Sequence, residues 1–169
     1  MESGGIVTAV RLVLASDRVA AGERADATAE GIRVALEAVG LELEGVVAVP
    51  DDEGALVEAL REAAAACPLV LTSGGTGLSV RDVTPEATRR VLEREIPGLG
   101  EAMRAASRAA VPTADLSRGL AGTVGRSLVI NLPGSPAGAR ECLEAVLPAV
   151  LHGLRILKGA VKDCADDLA

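Results

Sequence analysis

Hydrophobic residues along the chain form two kinds of pattern, short apolar runs and longer stretches with helical spacing. The apolar runs, rich in Val, Leu and Ile, predict buried strands at 6–15, 45–49, 69–72 and 127–132. The stretches with apolar residues three and four positions apart predict helices at 28–39, 53–66, 84–95, 97–110 and from 136 onward. Their alternation predicts parallel strands joined by right-handed crossovers. We therefore expect one α/β domain over 1–169, a three-layer, mostly parallel sheet with helices on both faces.

Prolines and polar residues predict where several of these elements end. Thr84 suits the N-cap of the helix at 84–95, and Pro85 suits its first turn. Pro148 is expected to bend or divide the C-terminal helix, because proline removes a backbone hydrogen bond. The polar tail at about 162–169 is expected to be frayed.

The composition narrows the class of protein. Of the 169 residues, 49% are hydrophobic and none is aromatic, and the formal net charge is -7. Such acidity argues against a general binder of nucleic acid or of anionic membranes. The chain has no run of uncharged apolar residues long enough to predict a membrane span, and its acidic start argues against a secretory signal. We therefore expect a cytoplasmic protein with no nucleic-acid or membrane partner.

The cysteines and the single histidine do not form a metal-site pattern. Cys67, Cys142 and Cys164 are odd in number and far apart, which excludes a disulfide framework and a Cys-x-x-Cys site. We expect buried or incidental thiols in a reducing cytoplasm. His152 lies in an apolar helical run and is expected to be structural, because one histidine cannot build a His-rich metal site.

A glycine-rich segment, TSGGTG at 72–77, follows the strand predicted at 69–72. Parallel α/β sheets bind ligands beyond the carboxyl ends of their strands. Glycines allow close backbone approach, and successive N–H groups can hold an anion. The segment matches neither a Walker A loop nor a dinucleotide fingerprint, so a plain tight turn is an open alternative. The hydroxyls of Ser73 and Thr76 favour a site for phosphate or a polar ring.

Carboxylates follow two of the expected strand ends. Asp82 lies just before a predicted helix, and Asp51 and Asp52 follow Pro50. Each can act as a solvated helix start or as a partner of the helix dipole. The alternative is a divalent cation site beside a bound phosphate, because Mg²⁺ binds carboxylate and phosphate oxygens.

The segment NLPGSP, at 131–136, links the last predicted strand to the last helix. Its two prolines make the loop rigid, and Gly134 permits close approach of a ligand. The helix N-terminus that follows also favours anions. A rigid turn and a second anion site are both open alternatives for this loop alone. Three loops of this chemistry at strand ends are much less expected by chance than any one of them.

These segments together resemble the molybdopterin adenylyltransferase family, the MogA/MoaB-type proteins of molybdenum cofactor biosynthesis. The resemblance runs from about Ile6 to Gly159. It rests on the order and spacing of three stretches: TSGGTGLSVRDVTPEAT at 72–88, MRAASRAAVPTADLSRGLAGT at 103–123 and NLPGSP at 131–136. The opening loop that begins at Ser16 is also similar. It departs from the family at Thr28 and Ala29, where a Ser-Gly pair is common.

The resemblance implies that ATP and molybdopterin are joined as adenylyl-molybdopterin, with release of pyrophosphate. It implies that Asp51 and Asp82 are the catalytic acids and the ligands of Mg²⁺, with Asp52 as the substitute if the alignment shifts by one residue. The residues that it implies for binding the pterin and the nucleotide are Ser73, Gly74, Gly75, Thr76, Gly77, Ser107, Ser117, Leu132, Pro133, Gly134, Ser135 and Pro136.

The resemblance also implies partners and leaves alternatives. It implies a homotrimer and hand-over of the product to a molybdenum insertase. The alternative function is a paralogue or carrier that binds molybdopterin without robust adenylylation. A generic phosphate-binding α/β domain is the third alternative, and it would bind nucleotide independently of any pterin.

Overall fold

The computed structural model describes residues 8–160, and in that part of the chain it contains strands and helices in alternation. The strands are β1 (Thr8–Ala15), β2 (Leu41–Val49), β3 (Leu69–Ser73), β4 (Arg94–Glu95), β5 (Ala121–Val124) and β6 (Ser127–Leu132). The helices are α1 (Asp17–Ala20), α2 (Ala29–Glu37), α3 (Glu53–Ala66), α4 (Thr84–Val91), α5 (Pro97–Ser107) and α6 (Pro136–Lys158), with a 3-10 turn at Pro112–Leu116. Residues 6 and 7 of the first predicted strand, the expected frayed tail and Cys164 lie outside the described residues.

All six strands form one sheet, in the order β2-β1-β3-β6-β5-β4. β2, β1, β3 and β6 are parallel, whereas β5 is antiparallel to both β6 and β4. On one face, Leu12 of β1 shares a buried cluster with Leu36 of α2 and with residues of α5 and α6. On the other face, Val13 shares a cluster with Leu60 of α3 and Ala87 of α4. The predicted three-layer, mostly parallel α/β fold is therefore confirmed.

The boundaries of α4 differ from the prediction. This helix ends at Val91, because Arg94 and Glu95 pair with β5 as an edge strand. Thr84 is the first helical residue, so the predicted N-cap is wrong, and Val83 occupies the cap position instead. The Thr84 hydroxyl is buried and has no hydrogen-bond partner in the structure. The strands β4 and β5, at the antiparallel end of the sheet, were not predicted, since each is too short to give a clear hydrophobic pattern.

The end of α5 and the course of α6 also differ from the prediction. α5 ends at Ser107 rather than at residue 110, and Pro112 follows, which disfavours helical geometry in the residue before it. α6 is not divided at Pro148, because residues on both sides, Leu147 and Val150, are buried in the core and hold the helix in place. No described helix, including α6, is long and apolar enough to cross a membrane.

The carboxyl ends of the parallel strands lie side by side. Ser73 at the end of β3 is in register with Leu14 of β1 and with Leu132 of β6. Ala15 is in register with Val49 at the end of β2. The loops that follow these four strands therefore meet at one edge of the sheet, as the sequence predicts.

Candidate active site

The glycine loop, residues 73–77, has a backbone that other residues do not readily adopt. Gly74 and Gly75 have φ angles of +96° and +63°, in the region that favours glycine. A Cβ atom on Gly74 would collide with the carbonyl oxygen of Ala15, and one on Gly75 would collide with Oγ1 of Thr84. Contacts inside the protein therefore already require both glycines, before any ligand is considered.

The glycine loop is joined directly to the proline loop, residues 132–136. Oγ of Ser73 donates a hydrogen bond to the carbonyl oxygen of Pro133 at 2.9 Å. The N–H of Gly74 donates to the carbonyl oxygen of Leu132 at 3.3 Å. The two loops, which are about 60 residues apart in sequence, therefore form one surface beyond β3 and β6.

Arg118 binds the glycine loop and the segment after it. Its N–H donates to the carbonyl oxygen of Thr76 at 2.9 Å, and its Nε donates to that of Gly77 at 2.7 Å. Its Nη2 donates to the carbonyl oxygen of Asp82 at 2.6 Å, and its Nη1 pairs with the Glu86 carboxylate. Burial raises the pKa of Glu86, but the hydrogen bond and charge of Arg118 outweigh burial and hold this pKa below its ordinary value.

A cavity of about 390 Å³ lies beside the glycine loop. Met103, Val111 and Leu116 give it apolar walls, whereas Arg104 and Glu141 bring charged groups to its lining. The predicted site residues that line it are Thr76, Gly77, Ser107, Ser117, Pro133 and Ser135. An apolar cavity of this size with a few polar groups is typical of a small-molecule site.

Ser107 lies at the buried wall of this cavity. Its hydroxyl donates to Oε2 of Glu141 at 3.2 Å and lies 3.4 Å from Sγ of Cys142. Burial raises the pKa of the Cys142 thiol, and burial likewise raises that of Cys67. Thiols held protonated in this way are poor nucleophiles. The expectation that these two cysteines are buried is therefore confirmed.

A smaller pocket, of about 70 Å³, lies between the opening loop and the start of α6. The predicted site residues that line it are Ser73, Gly134 and Pro136. Asp26 and Thr28 also line it, and the Asp26 carboxylate accepts the N–H groups of Thr28 and Ala29 at 2.8 and 2.9 Å. Of the two residues where this chain departs from the family, Thr28 thus lies at this pocket. The predicted residues Gly74, Gly75, Leu132, Asp51 and Asp82 line neither cavity.

Asp51 pairs with Asp17 through backbone hydrogen bonds. The N–H of Asp17 donates to Oδ2 of Asp51 at 3.1 Å, and the N–H of Asp51 donates to Oδ1 of Asp17 at 2.9 Å. Asp52 instead caps α3, because its Oδ1 accepts the N–H of Ala55 at 2.9 Å. Of the two neighbouring carboxylates, Asp51 is therefore the one tied to the loop after β1.

Arg81 connects the Asp17–Asp51 pair to the segment that carries Asp82. Its Nη2 donates to Oδ2 of Asp17 at 2.5 Å, and this hydrogen bond lowers the pKa of Asp17. The Asp82 carboxylate instead binds within its own loop, where its Oδ2 accepts the N–H of Ser79 at 2.9 Å. Between residues 8 and 160 no hydrogen bond joins Asp51 to Asp82, and no cluster of three or more Asp, Glu, His or Cys could hold a metal ion.

Sequence reasoning does not identify Arg81 or Arg118 as parts of this site. Arg118 lies within the stretch 103–123 that carries the resemblance, but nothing in its local pattern indicates a contact with Gly77, which precedes it by 41 residues. Arg81 precedes Asp82 and could be noticed only as a cation between acidic segments. Both roles depend on tertiary contacts.

Comparisons with known proteins agree with this architecture. Residues 11–152 match the family described as probable molybdopterin binding domain. A solved structure of the molybdopterin biosynthesis enzyme MoaB from Thermus thermophilus is similar, with a TM-score of 0.85 and 47% identity over 90% of this chain and 98% of that one. The MoaB protein from Pyrococcus furiosus, described as tungsten cofactor synthesizing, is also similar, with a TM-score of 0.80 and 32% identity over 93% and 99%.

Curated relatives are named molybdopterin adenylyltransferase. The Escherichia coli K12 protein is 42% identical over 86% of this chain and 78% of its own length. The Helicobacter pylori J99 protein is 54% identical over 55% of this chain, and the chain spans about half, 53%, of that relative's length. The family match and the Escherichia coli relative both cover most of the chain. The chain therefore belongs to the family of probable molybdopterin binding domains.

Proposed function

We propose that this protein is a molybdopterin adenylyltransferase, which joins ATP and molybdopterin and releases pyrophosphate. The observation that carries the proposal is the direct contact between the glycine loop and the proline loop beside the 390 Å³ cavity. Because of this contact, the two loops form one continuous surface on which both substrates would bind. The names of the curated relatives support the same reaction.

The reaction needs no nucleophile from the protein. A terminal phosphate oxygen of molybdopterin attacks the α-phosphorus of ATP and forms a new P–O bond. The bond between the α-phosphorus and the oxygen that bridges to the β-phosphate breaks, and pyrophosphate leaves with that oxygen. The protein's task is to align two anionic substrates and to offset their repulsion. The buried, protonated thiols of Cys67 and Cys142 are consistent with a site that uses no cysteine nucleophile.

The large cavity suits the pterin, and the proline loop suits the adenylate. Thr76, Gly77, Ser107 and Ser117 would border the pterin and its phosphate. Leu132, Pro133, Gly134, Ser135 and Pro136 would border the nucleotide. Ser135 caps α6 by accepting the N–H of Gly138 at 3.2 Å, so the N–H groups of this helix start lie close to the nucleotide side.

Asp51 and Asp82 fit Mg²⁺ as a substrate-linked ion. Mg²⁺ is commonly held by one or two carboxylates together with substrate phosphates, so a cluster of three protein ligands is not needed. Each carboxylate uses Oδ2 for a backbone N–H, and Oδ1 of each has no hydrogen bond among the described residues. A bound Mg²⁺ would supply charge neutralisation for the phosphates.

The remaining parts of the proposal follow the family. We expect a homotrimer in the cytoplasm that passes adenylyl-molybdopterin to a molybdenum insertase. Leu78, which lines the large cavity, and Val80 are exposed apolar residues, and they give a surface that an assembly could cover.

The test follows the adenylyl group. Molybdopterin is incubated with ATP labelled at the α-phosphate, and the label is sought on the pterin by chromatography and mass spectrometry. Label on the pterin supports the transferase. Tight pterin binding without any label would indicate the carrier, and ATP binding that needs no pterin would indicate a generic phosphate-binding domain.

A further inference from the structure

Arg118 is the residue that ties the glycine loop to the Asp82 segment. It donates to three backbone carbonyl oxygens, those of Thr76, Gly77 and Asp82, and it also pairs with Glu86. The guanidinium alone has three acceptors, the carbonyl oxygens of Gly77 and Asp82 and the Glu86 carboxylate, and binding all three needs the forked geometry of arginine. Hydrogen bonds of this kind define the direction of each peptide plane that they touch.

The direction of each of these carbonyls also determines the direction of the N–H group that follows it in the chain. In a trans peptide the carbonyl and the following N–H point in opposite directions, and residues 8–160 contain no cis peptide. The carbonyl of Thr76 accepts the backbone N–H of Arg118 and that of Gly77 accepts its side-chain Nε, so the N–H groups of Gly77 and Leu78 both point away from Arg118. Both of these residues line the large cavity.

The two N–H groups are not used inside the protein. No hydrogen bond among the described residues takes its donor from the N–H of Gly77 or of Leu78, whereas the next N–H, that of Ser79, is bound by Asp82. Two neighbouring backbone donors without a protein acceptor, beside a cavity, are well suited to an anionic oxygen.

We infer that Arg118 is a positioning residue: its backbone N–H aims the N–H of Gly77, and its guanidinium aims the N–H of Leu78, at the substrate phosphate. Arg118 itself is not expected to touch substrate, because it does not line the large cavity and each of its side-chain nitrogens already donates to a protein acceptor. The inference rests on the proposed function, since it names the residue that shapes the phosphate cradle of that site.

Two variants of Arg118 and one control distinguish a positioning role from general damage to the structure. Arg118→Met keeps an unbranched side chain and the backbone N–H that Thr76 accepts, and removes every side-chain donor. Arg118→Lys keeps the charge but replaces the fork by one ammonium group. The control is Arg108→Met, because Arg108 lies nearby in sequence and pairs with Asp115 at the exposed surface, at 2.9 Å.

The first readout is amide hydrogen exchange, which needs no substrate. The N–H groups of Ser79, Asp82 and Thr84 are hydrogen-bonded within the segment that Arg118 holds. Their exchange is expected to accelerate at least about 10-fold in Arg118→Met and less in Arg118→Lys, because local opening then costs less. Exchange in β3 should be unchanged, and Arg108→Met should match the wild type. Unchanged exchange in both Arg118 variants would overturn the inference.

The second readout separates positioning from general damage. A displaced cradle is expected to lower kcat about 100-fold in Arg118→Met and to raise KM for molybdopterin, with KM for ATP unchanged. Arg118→Lys should recover part of the loss, and it decides the matter if Arg118→Met fails to fold. Equal changes in both KM values, or a fall in kcat alone, would overturn the inference.

Failure of the proposed function gives a different result. If the wild type binds molybdopterin but transfers no adenylyl group, pterin fluorescence measures its affinity directly. The inference then predicts affinity about 10-fold weaker in Arg118→Met and unchanged in Arg108→Met, the loss expected for misaligned hydrogen bonds to an anion. Equal affinity in all three proteins, or no binding by the wild type, would overturn it.

Discussion

The glycine loop and the Asp17–Asp51 pair lie at the same edge of the sheet but are held in different ways. The glycine loop packs against Ala15 and Thr84, which leave no room for side chains at Gly74 and Gly75, and it accepts backbone hydrogen bonds from Thr84 and Arg118. The aspartate pair is held by reciprocal hydrogen bonds and by an exposed ion pair with Arg81. The glycine loop therefore has a backbone shape fixed by close packing, whereas the Asp17–Asp51 pair provides charges that are accessible to solvent.

This difference explains why the two regions should respond differently to substitution. Residues of the glycine loop shape the backbone, so changes there are expected to alter both stability and binding. The half-buried carboxylates at this edge contribute charge more than packing, so an isosteric change there is expected to alter turnover and to leave the fold intact. Substitutions in each region can therefore test this division.

Asp82→Asn is expected to lower kcat about 100-fold or more, because a preorganised charge at the reacting phosphates is lost. The fold should remain, since an asparagine side-chain oxygen can still accept the N–H of Ser79. Pyrophosphate release measures the first effect, and urea unfolding followed by circular dichroism measures the second. Wild-type turnover in this variant would remove Asp82 from the mechanism.

Gly75→Val is expected to lower the free energy of unfolding by about 3 kcal/mol and to abolish pterin binding, through strain at positive φ and a collision with Thr84. The matched control is Gly153→Ala in α6, where a Cβ meets nothing within 4 Å. That change should raise stability by about 0.5–1 kcal/mol, because alanine favours a helix interior. A stable Gly75→Val protein with normal affinity would show that the loop is only a turn.

Asp51 and Asp52 are neighbours that should give opposite results. Asp51→Asn is expected to lower turnover about 10-fold with little change in stability, because one charge is lost and its hydrogen bond is kept. Asp52→Ala is expected to cost about 1 kcal/mol of stability with turnover unchanged, because it removes the cap of α3. The reverse pattern would mean that Asp52 is the catalytic acid.

The smallest expected effect is a pH dependence from Asp17. The hydrogen bond from Arg81 holds the folded-state pKa of Asp17 below its ordinary value of about 3.9. The stabilisation is therefore present above this pH and is lost as the pH falls through the lower, folded-state value. Urea unfolding between pH 6 and pH 3 should show a shallower fall in Asp17→Asn and in Arg81→Met than in the wild type. Equal slopes in all three would contradict the assignment.

Hydrophobic periodicity predicts the parallel half of this fold well and its antiparallel edge poorly. The helix predicted at 53–66 is found with the same ends, since it carries buried residues at regular spacing. β4 has two residues and both are exposed, so pairing with β5 alone defines it. The prediction of Thr84 as a cap fails for a related reason, because tertiary packing draws its hydroxyl into the core.

The site shows the same limit. The loops whose chemistry the sequence already indicates lie together because they follow neighbouring parallel strands. A parallel sheet alone is therefore enough to predict that these loops meet. The roles of Arg81 and Arg118 depend on long-range hydrogen bonds that no local pattern reveals. The roles of Asp51 and Asp82 in catalysis and Mg²⁺ binding remain predictions.

The most direct test of the proposed transferase activity is pyrophosphate release from ATP and Mg²⁺, measured with and without molybdopterin. Protein concentration must be set without absorbance at 280 nm, because the chain has no Trp or Tyr. We expect release only when molybdopterin is present. No release in the presence of tightly bound molybdopterin would contradict the proposed activity and would direct attention to Thr28 and Ala29 in the opening loop.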